Sequence, residues 1–147
     1  MSLIVALPKN IRWTALFVAW LIALTSTLGA LFLGEVMGLT PCVLCWYQRI
    51  AMFPLVVILG MGLLSTDFRS ARYGIVLALA GWVVALFHCL LYWGVVPKSL
   101  VPCGQGASCT DGPLTLAGLL SIPLLSLMAF TLILISLFVV NKGARNE

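Results

Sequence analysis

Cysteines at 42, 45, 89, 103 and 109, the single histidine at 88 and an arginine at 49 are the residues whose types and spacing could do chemistry. In Thr40-Pro41-Cys42-Val43-Leu44-Cys45, threonine is a good helix N-cap and proline a good first helical residue, so a helix is expected to begin here. Cys42 and Cys45 would then lie three apart on one face of its first turn, with Cβ atoms about 5–6 Å apart, near enough to bridge. The partial positive charge at a helix N-terminus stabilises a thiolate, the form that exchanges disulfides. A purely static bridge would add little to two residues already held in one turn, although a CxxC pair can also ligate a metal.

The other pair, Cys103 and Cys109, encloses Gly104-Gln105-Gly106-Ala107-Ser108 between Pro102 and Pro113. Closing so short a loop would contribute about 2 kcal/mol on a chain-entropy argument. The loop has no core of its own to secure, so an exposed bond that exchanges with another protein stands beside a structural bridge as a reading. Cys89 falls inside an apolar run and reads as a packing residue. Arg49 follows Cys45 by four and Cys42 by seven, on the same stripe, roughly 12 Å into the helix. His88 lies nine residues before Pro97 and would reach a similar depth on the next helix. Facing inward, the two would set a fixed cation and a titratable imidazole below the CxxC, suited to the carbonyl oxygens of a membrane quinone and to its protons. Facing a neighbouring carbonyl, His88 would only satisfy it.

The elements that must carry these residues follow from composition. Of 147 residues 63% are apolar and 8% charged, with a mean hydropathy of +1.18, against about 25% charged in soluble domains. This excludes an ordinary soluble globule, a disordered tail and a nucleic-acid binder with a basic surface. No Asp, Glu, Lys or Arg occurs from Trp13 to Gly34, Ile50 to Thr66, Tyr73 to Pro97, or Gly112 to Asn141. Four spans of about 20 residues fit, and none shows the two-residue alternation of a barrel strand. The expected fold is an all-α bundle of four transmembrane helices, a single domain over 1–147, with helices near 13–34, 41–64, 73–96 and 114–140 and a loop at 97–113. The first apolar run is longer than a cleavable signal allows and reads as a retained helix.

Cations orient the bundle. Lys9 and Arg12 precede the first span, Arg69 and Arg72 lie between the second and third, and Lys142 and Arg145 follow the fourth, six of the eight basic residues. With both termini and that connection cytoplasmic, Arg49 and Lys98 are the remainder. Cys42, Cys45, Cys103 and Cys109 then all fall on the extracytoplasmic side, where disulfides form. Trp46, Tyr47, Tyr92 and Trp93 fall near the outer boundary, Trp13 and Tyr73 near the inner one, and Trp20 and Trp82 deeper.

The run Pro41-Cys42-Val43-Leu44-Cys45-Trp46-Tyr47-Gln48-Arg49, with four spans and a second outer cysteine pair, resembles the DsbB family of disulfide-bond formation proteins. The compact loop Pro102 to Cys109 is similar to the short-loop BdbC branch and departs from long-loop members. The resemblance implies a thiol:quinone oxidoreductase of the bacterial cytoplasmic (inner) membrane. A reduced thioredoxin-like partner, a dithiol oxidase of DsbA or BdbD type, would attack the loop disulfide, Cys103 forming the mixed disulfide and Cys109 resolving it. Electrons would pass to Cys42 and Cys45, with Cys45 facing the quinone, ubiquinone or menaquinone. Arg49 matches the family arginine beside that quinone, and His88 the polar residue of the third helix. No resident metal and no nucleic acid is implied. The alternative from another class is a thiol-based heavy-metal carrier, since soft metals favour thiolates, but such a carrier needs thiols on its receiving side and none is expected in the cytoplasm.

Overall fold

The computed structural model describes residues 8–96, 115–116 and 120–144, with 115, 116, 120 and 144 described through their backbone alone. Helix α1, Lys9–Leu31, runs into a π-helical turn, Phe32–Val36. It is followed by α2, Val43–Leu64, and α3, Ser70–Tyr92. Two-residue strands β1, Thr115–Leu116, and β2, Leu120–Ser121, pair antiparallel with Thr115 opposite Ser121, and α4, Ile122–Ala144, completes the described chain. The loop expected at 97–113, with Cys103, Cys109 and Lys98, lies outside the described residues, as does Arg145.

Each of the four helices is long and apolar enough to cross a membrane. At 1.5 Å per residue, 22 or 23 residues span the roughly 30 Å hydrocarbon core. The chain is a four-span, all-α membrane bundle. Its outward faces carry Leu21, Val57, Val76, Val83, Leu132 and Phe138 in exposed positions at mid-helix, a surface suited to lipid and not to water. Exposed aromatics collect toward the helix ends: Trp13 and Tyr73 at one end, Trp46, Tyr47 and Trp93 at the other.

Buried positions recur at spacings of three and four on every helix. On α3 they are Ala71, Gly74, Ala78, Gly81, Ala85 and His88. On α2 they include Leu44, Gln48, Ala51, Leu55, Leu59 and Gly62, and on α1 Arg12, Leu16, Ala19 and Ala23. On α4 Phe130, Ile133, Leu137 and Val140 face inward. Such spacing is the seam pattern of helices packed side by side, and its many small residues allow the close backbone approach that drives association where lipid is as apolar as leucine. Each helix packs on its sequence neighbours and α4 closes the ring onto α1. Large residues of one helix fill the notches of another: a Cβ built on Gly81 would fall on the Phe130 ring, and one on Gly74 would meet Leu59 and Leu137.

Several ends differ from the sequence expectation. Arg12, expected ahead of the first helix, lies within it and is 2% exposed. Its aliphatic stem lies against Gly143 and its guanidinium over the Phe68 ring, 4.1 Å from the centroid, so a long stem and an aromatic face accommodate the charge. These contacts join the start of α1, the connection after α2 and the end of α4 at one end of the bundle, where the described cations Lys9, Arg12, Arg69, Arg72 and Lys142 gather. Helix α3 stops at Tyr92, short of 96, because Gly94 takes a left-handed φ of 73° and its N–H bonds Leu91 while that of Val95 bonds Leu90, closing the last turn. Helix α4 starts at Ile122 and not near 114, because residues immediately before it are paired as strands.

Replacing Gly81 by alanine should cost about 1–3 kcal/mol by overpacking Phe130, read as a lower thermal midpoint in detergent. Pairing it with Phe130→Leu should recover part of the loss, and strict additivity of the two changes would contradict the contact.

Candidate functional site

At the end of the bundle opposite the cations, α2 begins two residues later than its sequence signals suggest. Cys42, not Thr40, is the N-cap, with extended backbone angles, φ −69° and ψ 166°, and its Sγ accepts from the Cys45 N–H at 3.3 Å. Sulfur replaces the hydroxyl oxygen that usually caps a helix, so the cap residue is itself the redox candidate. The Cys45 side chain returns over the same turn, and the two Sγ atoms lie 2.8 Å apart, hydrogen-bonded and unbridged.

His88, the outermost polar member of the α3 seam, is 2% exposed. It sets Nε2 3.9 Å from the Cys42 Sγ, while Nδ1 lies 3.2 Å from Gln48 Nε2 on α2. The other end of that amide, Oε1, accepts from the Ser126 hydroxyl on α4 at 2.5 Å. With the Gln48 amide donating to Nδ1, the imidazole carries its proton on Nε2, toward sulfur. Three helices are thus joined by one chain of hydrogen bonds ending on Cys42.

Arg49 points the other way, toward α1. Its guanidinium donates to the Ala30 carbonyl at 2.7 Å and lies 5.5 Å from the Trp46 ring centroid. Gly34, in the π-helical turn, gives it room, since a Cβ there would sit 3.3 Å from a guanidinium nitrogen. The wider turn begins two residues after Ala30, and such turns are frequent at functional sites. Between Arg49 and His88 opens a cavity of about 930 Å³, lined by Cys42, Cys45, Gln48, Arg49 and His88 together with apolar Met52 and Phe53. Thr27 also lines it, and its buried hydroxyl has no hydrogen-bond partner among the described residues.

Cys42 caps the span from outside it, and its thiol is held well below the ordinary range. The hydrogen bond from the Cys45 thiol to the Cys42 thiolate is the largest cause; burial opposes it, and His88 and the Cys45 N–H assist. The thiolate is therefore populated at neutral pH.

Of the residues singled out in the sequence, Cys42, Cys45, Arg49 and His88 come together around one cavity. Cys89, free and 1% exposed, is buried as a packing residue is. Gln48 and Ser126 were not singled out. Being uncharged they pass a search for charges in apolar runs, yet the 71-74-78-81-85-88 spacing of small residues and histidine signals that His88 faces inward and needs a partner.

Comparison with known proteins gives a coherent picture. The profile of the family described as disulfide bond formation protein DsbB matches residues 11–140. A probable disulfide formation protein of Metapseudomonas resinovorans is 46% identical over 136 residues, covering 92% of this chain and 94% of its own. Disulfide bond formation protein C of Bacillus subtilis (strain 168) is 37% identical over 139 residues, 95% and 99% of the two chains. A probable disulfide formation protein of Deinococcus radiodurans is 44% identical over 132 residues, 84% and 86%. No solved structure matches.

Two outcomes test the site. With Cys89, Cys103 and Cys109 replaced by serine and Cys42 alkylation followed by peptide mass, the rate should stay level through neutral pH and fall only on acidification. His88→Ala should move that midpoint upward by roughly one unit, the equivalent of one hydrogen bond. Gln48→Leu, which strips partners from His88 and Ser126, should cost about 1–3 kcal/mol in thermal unfolding, whereas a stability unchanged from wild type would deny the chain its structural role.

Proposed function

Since the chain belongs to the DsbB family of disulfide bond formation proteins, a multi-pass membrane family whose chemistry is thiol oxidation, we propose that it is a thiol:quinone oxidoreductase. It re-oxidises a thioredoxin-like dithiol oxidase on the extracytoplasmic side of the bacterial cytoplasmic membrane. The observation that carries this reading is that the CxxC pair opens into an apolar-walled cavity flanked by Arg49 and His88. The clustering of cations at the opposite end supports the orientation, because basic residues remain cytoplasmic.

In the proposed sequence, a partner thiolate attacks the Cys103–Cys109 disulfide at Cys103, Cys109 leaves as the thiol, and the partner's second thiol, not Cys109, resolves the mixed disulfide, since attack by Cys109 would only return the partner reduced. The loop dithiol then reduces the Cys42–Cys45 disulfide by the same exchange, regenerating its own bond. Two electrons and two protons have moved at each stage, and the reduced CxxC must give them up.

The cavity suits a quinone in size, since small-ligand sites run from about 300 to 1,000 Å³, and in chemistry, with apolar walls, a cation and an imidazole at separate sides. A bound quinone would supply a two-electron, two-proton acceptor. The protein's part is to bind and orient: Arg49, already held by the Ala30 carbonyl, offers its remaining N–H groups to an anionic or carbonyl oxygen. Cys45 opens to the cavity, and the His88 Nε2 proton, aimed at Cys42 by Gln48 and Ser126, stabilises the thiolate that remains. Met52 and Phe53 exclude water.

Anaerobic turnover of the purified protein with a reduced thioredoxin-like dithiol, following quinone absorbance and partner thiols together, tests the reading. One quinone reduced per partner disulfide formed is expected, and Cys42→Ser or Cys103→Ser should abolish it. Arg49→Ala should raise the quinone KM about tenfold or more, a loss on the scale of one charge-assisted hydrogen bond. Partner oxidation that proceeds without quinone consumption would overturn the acceptor assignment.

A further inference from the structure

Three metal-ligating atoms converge at the head of α2. Cys42 Sγ, Cys45 Sγ and a ring nitrogen of His88 all lie within 4.8 Å of one another, with the two sulfurs 2.8 Å apart and His88 Nε2 3.9 Å from Cys42. We propose that the reduced pair, together with His88, is an inhibitory zinc site. By ligating both sulfurs, the metal holds Cys42 and Cys45 as a dithiolate and blocks their return to the disulfide. Binding itself is independent of the oxidoreductase reading, whereas its inhibitory consequence rests on that reading.

The donor set is two thiolates and one imidazole, borderline-soft ligands that favour zinc and leave a fourth position open. Tetrahedral zinc, with Zn–S about 2.3 Å and Zn–N about 2.0 Å, needs its sulfurs about 3.8 Å apart and each sulfur about 3.5 Å from the nitrogen. The observed pair must therefore open by about 1 Å, while the imidazole closes by about 0.4 Å on Cys42 and by no more than about 1.3 Å on Cys45, shifts on the scale of side-chain rotation on fixed helices. The fourth position falls to water or another small ligand from the adjoining cavity.

Charge balance favours the metal where the site sits. Two bare thiolates would place two negative charges against apolar walls, at a steep desolvation cost. With zinc the group is neutral, and whatever thiol proton the reduced pair still holds leaves to solvent with no change of oxidation state. A disulfide has no thiolate to offer, so only the reduced protein should bind.

The second coordination sphere is also present. A metal-bound histidine generally has its other ring nitrogen held by a hydrogen bond, and His88 Nδ1 is held by Gln48, itself fixed by Ser126. Turning the Gln48 amide over lets Oε1 accept from an Nδ1–H while the NH₂ donates to the Ser126 oxygen. Nε2 then presents its lone pair to a metal, with Gln48 and the His88 Nδ1 still paired.

The test uses the full-length chain in detergent with Cys89, Cys103 and Cys109 changed to serine, so that only the CxxC thiols remain. Reduced anaerobically and freed of reductant, it is titrated with zinc against a chromophoric chelator. One zinc per chain is expected with sub-micromolar affinity, lost when the pair is oxidised. His88→Ala should weaken binding by about tenfold or more, since even outer-sphere losses cost 10–100-fold. No competition with the chelator, or an affinity unchanged by His88→Ala, would overturn the site. In the wild-type chain, zinc should stop turnover and chelation restore it; zinc bound at the CxxC without inhibition would overturn the regulatory role. A chain that binds zinc in this way but never turns over would instead sink the oxidoreductase reading and leave the site standing.

Discussion

A polar group below the headgroups has only the protein to pair with. Water is absent from the hydrocarbon core, and an unsatisfied donor or acceptor there costs several kcal/mol. Several described polar side chains of this bundle are arranged under that constraint. Arg49 reaches a main-chain carbonyl on α1, Trp82 donates to Thr131 across to α4, and Gln48, His88 and Ser126 satisfy one another between α2, α3 and α4. The same bonds that satisfy these groups also aim them, so positioning the site and holding the bundle together are one task.

The small-residue seam of α3 makes that arrangement possible. Alanine and glycine at 71, 74, 78, 81 and 85 let α3 lie close against its neighbours, with Phe130 filling the notch at Gly81. Where the seam reaches position 88 it carries a ring instead of a methyl or a hydrogen, and the helices must leave space. Cys42, Leu44 and Leu91 form a separate apolar cluster around that end, while the main core lies below. The bundle is tight through its middle and looser at the end where Cys42 and Cys45 sit.

Much of this was legible in the sequence. Uncharged runs locate all four helices because charge is expelled from hydrocarbon, and the motif Cys42 to Arg49 places two thiols and a cation on one helix. What escaped had physical causes. Arg12 reads as a flanking charge, because a string of letters does not reveal that Gly143 and Phe68 leave a slot for its stem and guanidinium. Thr40 and Pro41 are strong helix-start signals, yet a thiol can cap as a hydroxyl does, and the helix opens at Cys42. Gln48 and Ser126 carry no sequence signal because their importance lies in a contact 78 residues apart along the chain, which no local pattern encodes. The start of α4 shifted from near 114 to Ile122 for a related reason: apolar composition continues through 115–121, and only the pairing of Thr115–Leu116 with Leu120–Ser121 turns it from helix to strand.

The neutrality of the chain from Ser126 to Cys42 has a further consequence. An ionised carboxylate at position 48 would accept from His88 in one sense only and would bring a second charge into the apolar end of the bundle. An amide is both donor and acceptor, as are a hydroxyl and a neutral imidazole. In one sense Ser126 donates to Gln48, Gln48 to His88, and His88 to a Cys42 thiolate. In the other the amide turns over, His88 donates to Gln48, and its Nε2 accepts from a Cys42 thiol. In both senses Gln48 and His88 stay paired, and neither places a net charge on the chain itself. A thiol that alternates, in the proposed cycle, between protonated, ionised and disulfide-bonded forms needs surroundings that can follow it, and a reversible chain of neutral groups does so without moving a helix.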